Sequence, residues 1–189
     1  MKIDIKSIVI NESNIDYIKD ANEESFNISK LLGIVLSQSQ SVRAGNLFQK
    51  IVKDIVKSAG GQLIPVQFAD VYNVGETKQN KDKKDIDIWF KLDNKMYYFE
   101  VKTNMNLDSE KSRATDKKVS DISAWISKEY PDFEVISGVV SCWYEKEVGL
   151  PVKIKKAFFM KDLFKILDIE ITRDEYYSLM KDFGKSINS

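Results

Sequence analysis

The chain has 189 residues, of which 43% are hydrophobic and 31% are charged, so it is long and apolar enough to fold as one domain around its own core. Its 29 basic and 29 acidic residues cancel, but residues 42–57 and 78–118 each carry a net charge of +3. A single cysteine and no histidine exclude an internal disulfide, a cysteine-rich zinc site, a serine–histidine–aspartate triad and any histidine base. Catalysis in this chain would therefore use carboxylates, lysine, tyrosine, serine or a metal held by oxygen atoms.

The first half of the chain favours helices. Residues 11–36 have a weak helical pattern, and residues 41–59 have apolar side chains at spacings of three and four, which predicts an amphipathic helix ended by Gly60 and Gly61. Residues 62–68 predict a short strand, and residues 70–84 predict a polar, basic loop.

The second half alternates strands and helices. Residues 85–92 and 96–103 predict a β-hairpin. A two-residue turn at Asp93 and Asn94 places Leu92 opposite Lys95, whereas a turn at Asn94 and Lys95 would place Asp87 opposite Lys102. Further predictions are one helix or two over 108–130, a buried strand over 133–143 and a strand over 152–159. Helices are predicted over 161–167 and 172–183, the last with a capping box at Thr172 and Glu175. This order predicts an α/β protein, a single domain with a central mixed β-sheet flanked by helices. The predicted domain covers residues 1–189, with N-terminal helices (11–59), the hairpin (85–103) and a C-terminal strand and helices (152–185).

The predicted hairpin carries the residues of greatest chemical interest. Asp85 and Asp87 lie two apart on its first strand, and Glu100 and Lys102 lie two apart on its second, so each pair shares a face. The turn at 93–94 predicts Asp87 opposite Glu100 and Asp85 opposite Lys102, with the Cβ atoms of directly opposite residues about 4.5–5.5 Å apart.

This arrangement suits Mg²⁺, which takes oxygen ligands and commonly only one or two carboxylates from the protein. We expect Asp87 and Glu100 to share the ion, Asp85 to pair with Lys102 or help to hold a second ion, and Lys102 to stabilise charge at an attacked phosphate. The alternative is a ladder of ion pairs with no catalytic role, which cross-strand opposite charges commonly form. The bulky apolar residues between the charges favour a sheet interior, and hence the catalytic interpretation.

The segment KKDIDIWFKLDNKMYYFEVKT resembles the core of the PD-(D/E)XK nuclease superfamily, in which an Asp and an (Asp/Glu)-x-Lys motif hold Mg²⁺ at a scissile phosphate. The matching residues are Asp87 or Asp85, followed by Glu100 and Lys102. Residues 37–49 are similar to the S-x-x-x-R-A-G-x-x-F-E segment of many type II restriction endonucleases, although Gln49 stands in place of the acidic residue. The resemblance covers roughly residues 37–118.

The resemblance implies a restriction-endonuclease-like fold and a type II restriction endonuclease. Such an enzyme is a homodimer that cuts a specific double-stranded DNA sequence with Mg²⁺, or Mn²⁺ in its place. Two alternatives remain open: a repair or junction-resolving nuclease of the same fold, and a DNA- or partner-binding domain without chemistry. Basic and amide side chains near the hairpin and on the adjoining helices are candidate DNA contacts: Arg43, Lys50, Lys81, Lys83, Lys84, Asn104, Lys111, Arg113 and Lys117. We also expect a cytoplasmic protein, because no apolar run is long enough for a membrane span and the first ten residues lack the apolar region of a signal peptide.

Overall fold

The computed structural model describes residues 3–11, 14, 28–34, 38–66, 68–71, 82–103, 105, 107–146 and 152–188. Its helices are α1 (Ile5–Val9), α2 (Ile28–Leu32), α3 (Gln38–Ser58), α4 (Ser109–Glu129), α5 (Met160–Ile166) and α6 (Arg173–Asn188). Its strands are β1 (Gln62–Leu63), β2 (Phe68–Val71), β3 (Asp82–Asp85), β4 (Ile88–Leu92), β5 (Lys95–Lys102), β6 (Glu134–Ser141) and β7 (Ala157–Phe158). None of the helices within these ranges combines the length and apolar character of a membrane span.

Two predicted helix starts are confirmed by their capping hydrogen bonds. The Asp108 carboxylate accepts a hydrogen bond from the backbone N–H of Lys111 at 2.8 Å, which begins α4 at the expected place. Thr172 and Glu175 form the predicted capping box before α6, because each side chain accepts a hydrogen bond from the backbone N–H of the other residue. The prediction over 11–36 falls largely outside the described residues, apart from Asn11, Asn14 and α2.

A five-stranded mixed sheet in the order β1-β4-β5-β6-β7 forms the centre of the single α/β domain, as predicted. Strands β4 and β5 are an antiparallel hairpin in which Leu92 pairs with Lys95, so the register predicted from a two-residue turn is confirmed. Asp93 in that turn has a φ of 52°, a left-handed conformation that Asp tolerates better than most residues. Strand β6 is parallel to β5 because α4 carries the chain back across the sheet.

The predicted single strand over 85–92 is wrong. The chain breaks at Ile86 and Asp87, and β3, which ends at Asp85, pairs antiparallel with β2 in a separate two-stranded sheet. Two other predictions also need correction. The expected loop over 70–84 contains strand residues at both described ends, and the strand expected over 152–159 is reduced to the two residues of β7.

The sheet separates two hydrophobic cores, and the alternation of β5 assigns its side chains to them. Tyr97, Phe99 and Val101 face a larger core formed with α1, α2, α3, α5 and α6. Met96 and Tyr98 face a smaller core formed with α4. Because side chains alternate along a strand, Glu100 and Lys102 lie on the α4 side as well. That face of the hairpin is where the candidate functional residues meet.

Candidate active site

Glu100 is the buried centre of the candidate site. Its side chain is only 5% exposed, yet both carboxylate oxygens have charged partners. Lys102 Nζ lies 2.8 Å from Oε1, and Lys118 Nζ lies 2.6 Å from Oε2. The Tyr98 hydroxyl donates a longer hydrogen bond of 3.4 Å to Oε2. These partners compensate for the loss of hydration that a buried carboxylate would otherwise suffer.

Asp87 reaches the same region from the break between β3 and β4. The last residue pair of the hairpin ladder is Ile88 with Phe99, so β5 extends beyond the start of its partner strand. At that point the Asp87 Oδ2 atom accepts a hydrogen bond from the Val101 backbone N–H at 2.9 Å. The side chain of Asp87 thus satisfies an amide that has lost its ladder partner, and this contact fixes the carboxylate beside Glu100.

The two carboxylates have opposite electrostatic environments. Burial, followed by the charge of Glu100, raises the pKa of Asp87 above its usual 3.8, although the Val101 hydrogen bond and the nearby lysines oppose the shift. Burial also raises the pKa of Glu100, but Lys102 and Lys118 outweigh burial and hold that pKa below its usual 4.5. A carboxyl group with a raised pKa thus lies beside one with a lowered pKa. A divalent cation bound there would favour the ionised form of both groups.

Lys118 is a member of this cluster that the sequence-based site prediction omitted. It lies on α4 and is 18 positions from Glu100 in the chain. Residues 118, 122 and 126 are spaced by four, and both Ile122 and Ile126 are fully buried against the sheet. Side chains at this spacing share a helix face, so the pattern contained the signal that Lys118 points toward the sheet.

Asp85 does not join the cluster. It is exposed at the end of β3 and pairs with Phe68 of β2, so the expected pairing of Asp85 with Lys102 across the hairpin is wrong. Within the described part of the chain, no group of three or more acidic or cysteine side chains is arranged to hold a metal ion. The predicted group of three carboxylates is therefore reduced to Asp87 and Glu100, a number that still suffices for Mg²⁺.

Several predicted DNA contacts are engaged with acidic side chains of the protein itself. Lys84 and Lys117 both pair with Asp121, at 3.3 and 2.8 Å. Lys111 pairs with Asp108, the cap of α4, at 3.2 Å. Lys50 is exposed, donates to Asn14 Oδ1 at 3.0 Å and lies 3.6 Å from Asp54 Oδ2. The pairs of Lys50 and Lys111 join exposed groups and contribute little to stability, so these two lysines can exchange partners, whereas Lys84 and Asp121 are each only 19% exposed.

The remaining candidates lie at separate places. Arg113 and Lys117 line a groove of about 690 Å³ between α4 and strand β6. Arg43 is half-buried on α3, and Gln49 is half-buried further along the same helix, which packs on the other face of the sheet from Glu100. The backbone of Lys83 pairs with Asp70, but its side chain, together with Lys81 and Asn104, lies outside the described parts of the structure.

Helix α3 nevertheless abuts the end of the strand that carries the site. A Cβ atom at Gly45 would lie 3.9 Å from the Thr103 side chain, directly after Lys102. The segment similar to the restriction-endonuclease motif is thus next to the carboxyl end of β5.

No protein-family model matches this chain, and a search of curated proteins returns no match.

Proposed function

We propose that this protein is a Mg²⁺-dependent endonuclease that hydrolyses phosphodiester bonds of double-stranded DNA. The observation that carries the proposal is the juxtaposition of two carboxylates, Asp87 from the break before β4 and Glu100 from β5, with Lys102 Nζ 2.8 Å from Glu100. Two oxygen ligands and an adjacent ammonium are the groups that metal-assisted phosphodiester hydrolysis requires of a protein that has no histidine.

The donor set fits the proposed ion. Asp87 and Glu100 would hold Mg²⁺, or Mn²⁺ in its place, with water and substrate oxygens as the remaining ligands. The ion would supply activation of the attacking water and neutralisation of charge at the phosphate.

The chain's own groups have distinct tasks in this proposal. The Val101 amide orients Asp87 through its hydrogen bond of 2.9 Å. Lys102 is 35% exposed, so its ammonium can reach a bound phosphate and stabilise the negative charge that develops during attack. Tyr98 stays protonated, because burial, together with the charges of Glu100 and Asp87, raises its pKa, so it serves as a hydrogen-bond donor to Glu100 and not as a base.

We further propose that the enzyme is a type II restriction endonuclease. The segment over 37–49 supports this proposal, because it is similar to a segment of such enzymes and its helix abuts Thr103 at the end of β5. A homodimer follows from the substrate, because cutting both strands of a duplex at one sequence presents a target with two-fold symmetry.

The experiment is incubation of the protein with plasmid DNA and Mg²⁺, followed by electrophoresis. Discrete bands are the expected result for a restriction enzyme, whereas a smear would indicate a nuclease without sequence specificity. Glu100→Gln and Lys102→Ala should reduce cleavage by several orders of magnitude, while a gel-shift assay should still detect DNA binding. Far-UV circular dichroism of each variant controls for folding, and cleavage retained by a folded variant would remove that residue from the site.

A DNA- or partner-binding domain without chemistry is the second candidate. It is favoured by the fact that both oxygens of Glu100 already have lysine partners, so the cluster is charge-compensated without a metal ion. Intact plasmid after incubation with Mg²⁺ or Mn²⁺, together with a gel shift, would support this candidate and contradict the nuclease.

A further inference from the structure

Lys118 contacts Glu100, one of the two carboxylates that would hold the metal ion. Its ammonium lies 2.6 Å from Glu100 Oε2, in a cluster where Glu100 is almost fully buried. Both Lys118 and Lys102 lie close enough to Asp87 for their charges to oppose the raised pKa of that carboxyl. Each ammonium contacts a different oxygen of Glu100, with Lys118 at Oε2 and Lys102 at Oε1.

The charges of the cluster already balance without a metal ion. At formal charges, Asp87 and Glu100 are balanced by Lys102 and Lys118. Each oxygen of Glu100 is already within 2.8 Å of one ammonium. A divalent ion bound to Glu100 would lie about 2.1 Å from one of these oxygens, and an ammonium in contact with the same oxygen would be strongly repelled.

We propose that Lys118 is a built-in competitor of the metal ion: it occupies Glu100 Oε2 in the metal-free protein, and a divalent cation binds to Glu100 only by displacing it. This inference rests on the proposed metal-dependent function and names a residue that regulates it. Lys118 would set the metal concentration at which the site becomes occupied. It would also keep the two carboxylates from repelling each other before the metal ion arrives.

The positions of the two lysines favour Lys118 as the one displaced. Lys102 lies on the same strand as Glu100, two residues away, and moves with it. Lys118 belongs to a different element, α4, so its flexible four-carbon stem can swing away from Glu100 without any movement of β5.

The test is a titration with Mn²⁺ alone, without DNA, in which electron paramagnetic resonance measures the free ion. Lys118→Gln removes the charge but retains a hydrogen-bond donor to Glu100, and Lys118→Met removes both. We expect both variants to bind Mn²⁺ at least about tenfold more tightly than the wild type, because one competing positive charge has gone. Lys118→Arg keeps the charge and should bind as weakly as the wild type. Lys128→Gln, an exposed lysine of the same helix, is the matched control and should change nothing.

The outcomes separate this inference from the proposed function. Mn²⁺ affinity that is unchanged or weaker in folded Lys118→Gln and Lys118→Met would overturn the competitor role, while plasmid cleavage by the wild type would still stand. Failure of both the wild type and these variants to bind Mn²⁺ would overturn the metal site, and the competitor role with it. Tighter binding in Lys118→Gln without any plasmid cleavage would support the competitor role and contradict the nuclease.

Discussion

Asp87→Asn and Glu100→Gln should change the stability of this protein in opposite directions, although each replaces a carboxylate by an amide of the same shape. The ionised Asp87 carboxylate lies in an unfavourable environment, because it is half-buried beside Glu100. Its amide replacement can still accept the hydrogen bond of Val101 and no longer repels Glu100. Glu100, in contrast, is ionised in a favourable environment made by Lys102 and Lys118.

The size of each change in the free energy of unfolding follows from these contacts. In Glu100→Gln, one lysine keeps an amide oxygen as its acceptor and the other loses its partner, beside a side chain that is itself only 5% exposed. Breaking a buried ion pair from one side costs about 3 kcal/mol or more. For a domain of this size, this loss lowers Tm by about 6–12 °C. Asp87→Asn should leave the free energy of unfolding unchanged or raise it by about 0.5–2 kcal/mol, as is common when a strained functional group is removed.

Urea unfolding monitored by tryptophan fluorescence, in EDTA at neutral pH, measures both changes without interference from bound metal. Asp85→Asn is the matched control. Asp85 is exposed on β3, so its substitution should stay within about 0.5 kcal/mol of the wild type. A loss of stability in Asp87→Asn as large as that in Glu100→Gln would refute the reasoning, because it would mean that the Asp87 carboxylate stabilises the fold.

The difference in the free energy of unfolding between Asp87→Asn and the wild type should depend on pH. Between pH 3.8 and the raised pKa of Asp87, the folded protein holds a proton that the unfolded chain has released, so the wild type loses stability as the pH rises through this window. Glu100 acts in the opposite sense, since the stability it contributes above its usual pKa of 4.5 is lost as the pH falls through its lowered value. The advantage of Asp87→Asn should therefore be smallest in acid and reach its full value at neutral pH. If the difference in stability between Asp87→Asn and the wild type stays constant from about pH 4 to pH 7.5, Asp87 has an ordinary pKa.

Three further predictions concern function. Asp87→Asn should abolish plasmid cleavage, whereas Asp85→Asn should reduce it at most a few-fold, because Asp85 lies in the separate β2–β3 sheet; the reverse ranking would mean that Asp85 is the metal ligand. Mg²⁺ and Mn²⁺ should support cleavage, whereas Ca²⁺, which is larger and coordinated flexibly, should support DNA binding with little turnover. Full activity in EDTA would contradict a metal mechanism. DNA binding in a gel-shift assay should weaken steeply between about 50 and 200 mM salt despite the zero net charge, because phosphate contacts release counterions; a flat salt dependence would remove the basic segments 42–57 and 78–118 from the interface.

The sequence by itself determined the features that depend on neighbours along the chain. The two-residue turn at Asp93 and Asn94 fixes the register of the hairpin, and strand alternation then places Glu100 and Lys102 on one face. The start of α4 at Asp108 likewise depends on a hydrogen bond to a residue three positions away. Each of these interactions is local, so residue type and spacing are sufficient to predict it.

Only the tertiary structure decided the composition of the charge cluster. Asp85 and Asp87 are indistinguishable by alternation, and they separate because β3 pairs with β2 while Asp87 turns back to the Val101 amide. Lys118 reaches Glu100 because α4 packs across β5 and β6, an arrangement set by burial of its apolar face against the sheet. These contacts join residues 14 and 18 positions apart. They depend on how whole elements pack, and no periodicity within a single strand or helix specifies that packing.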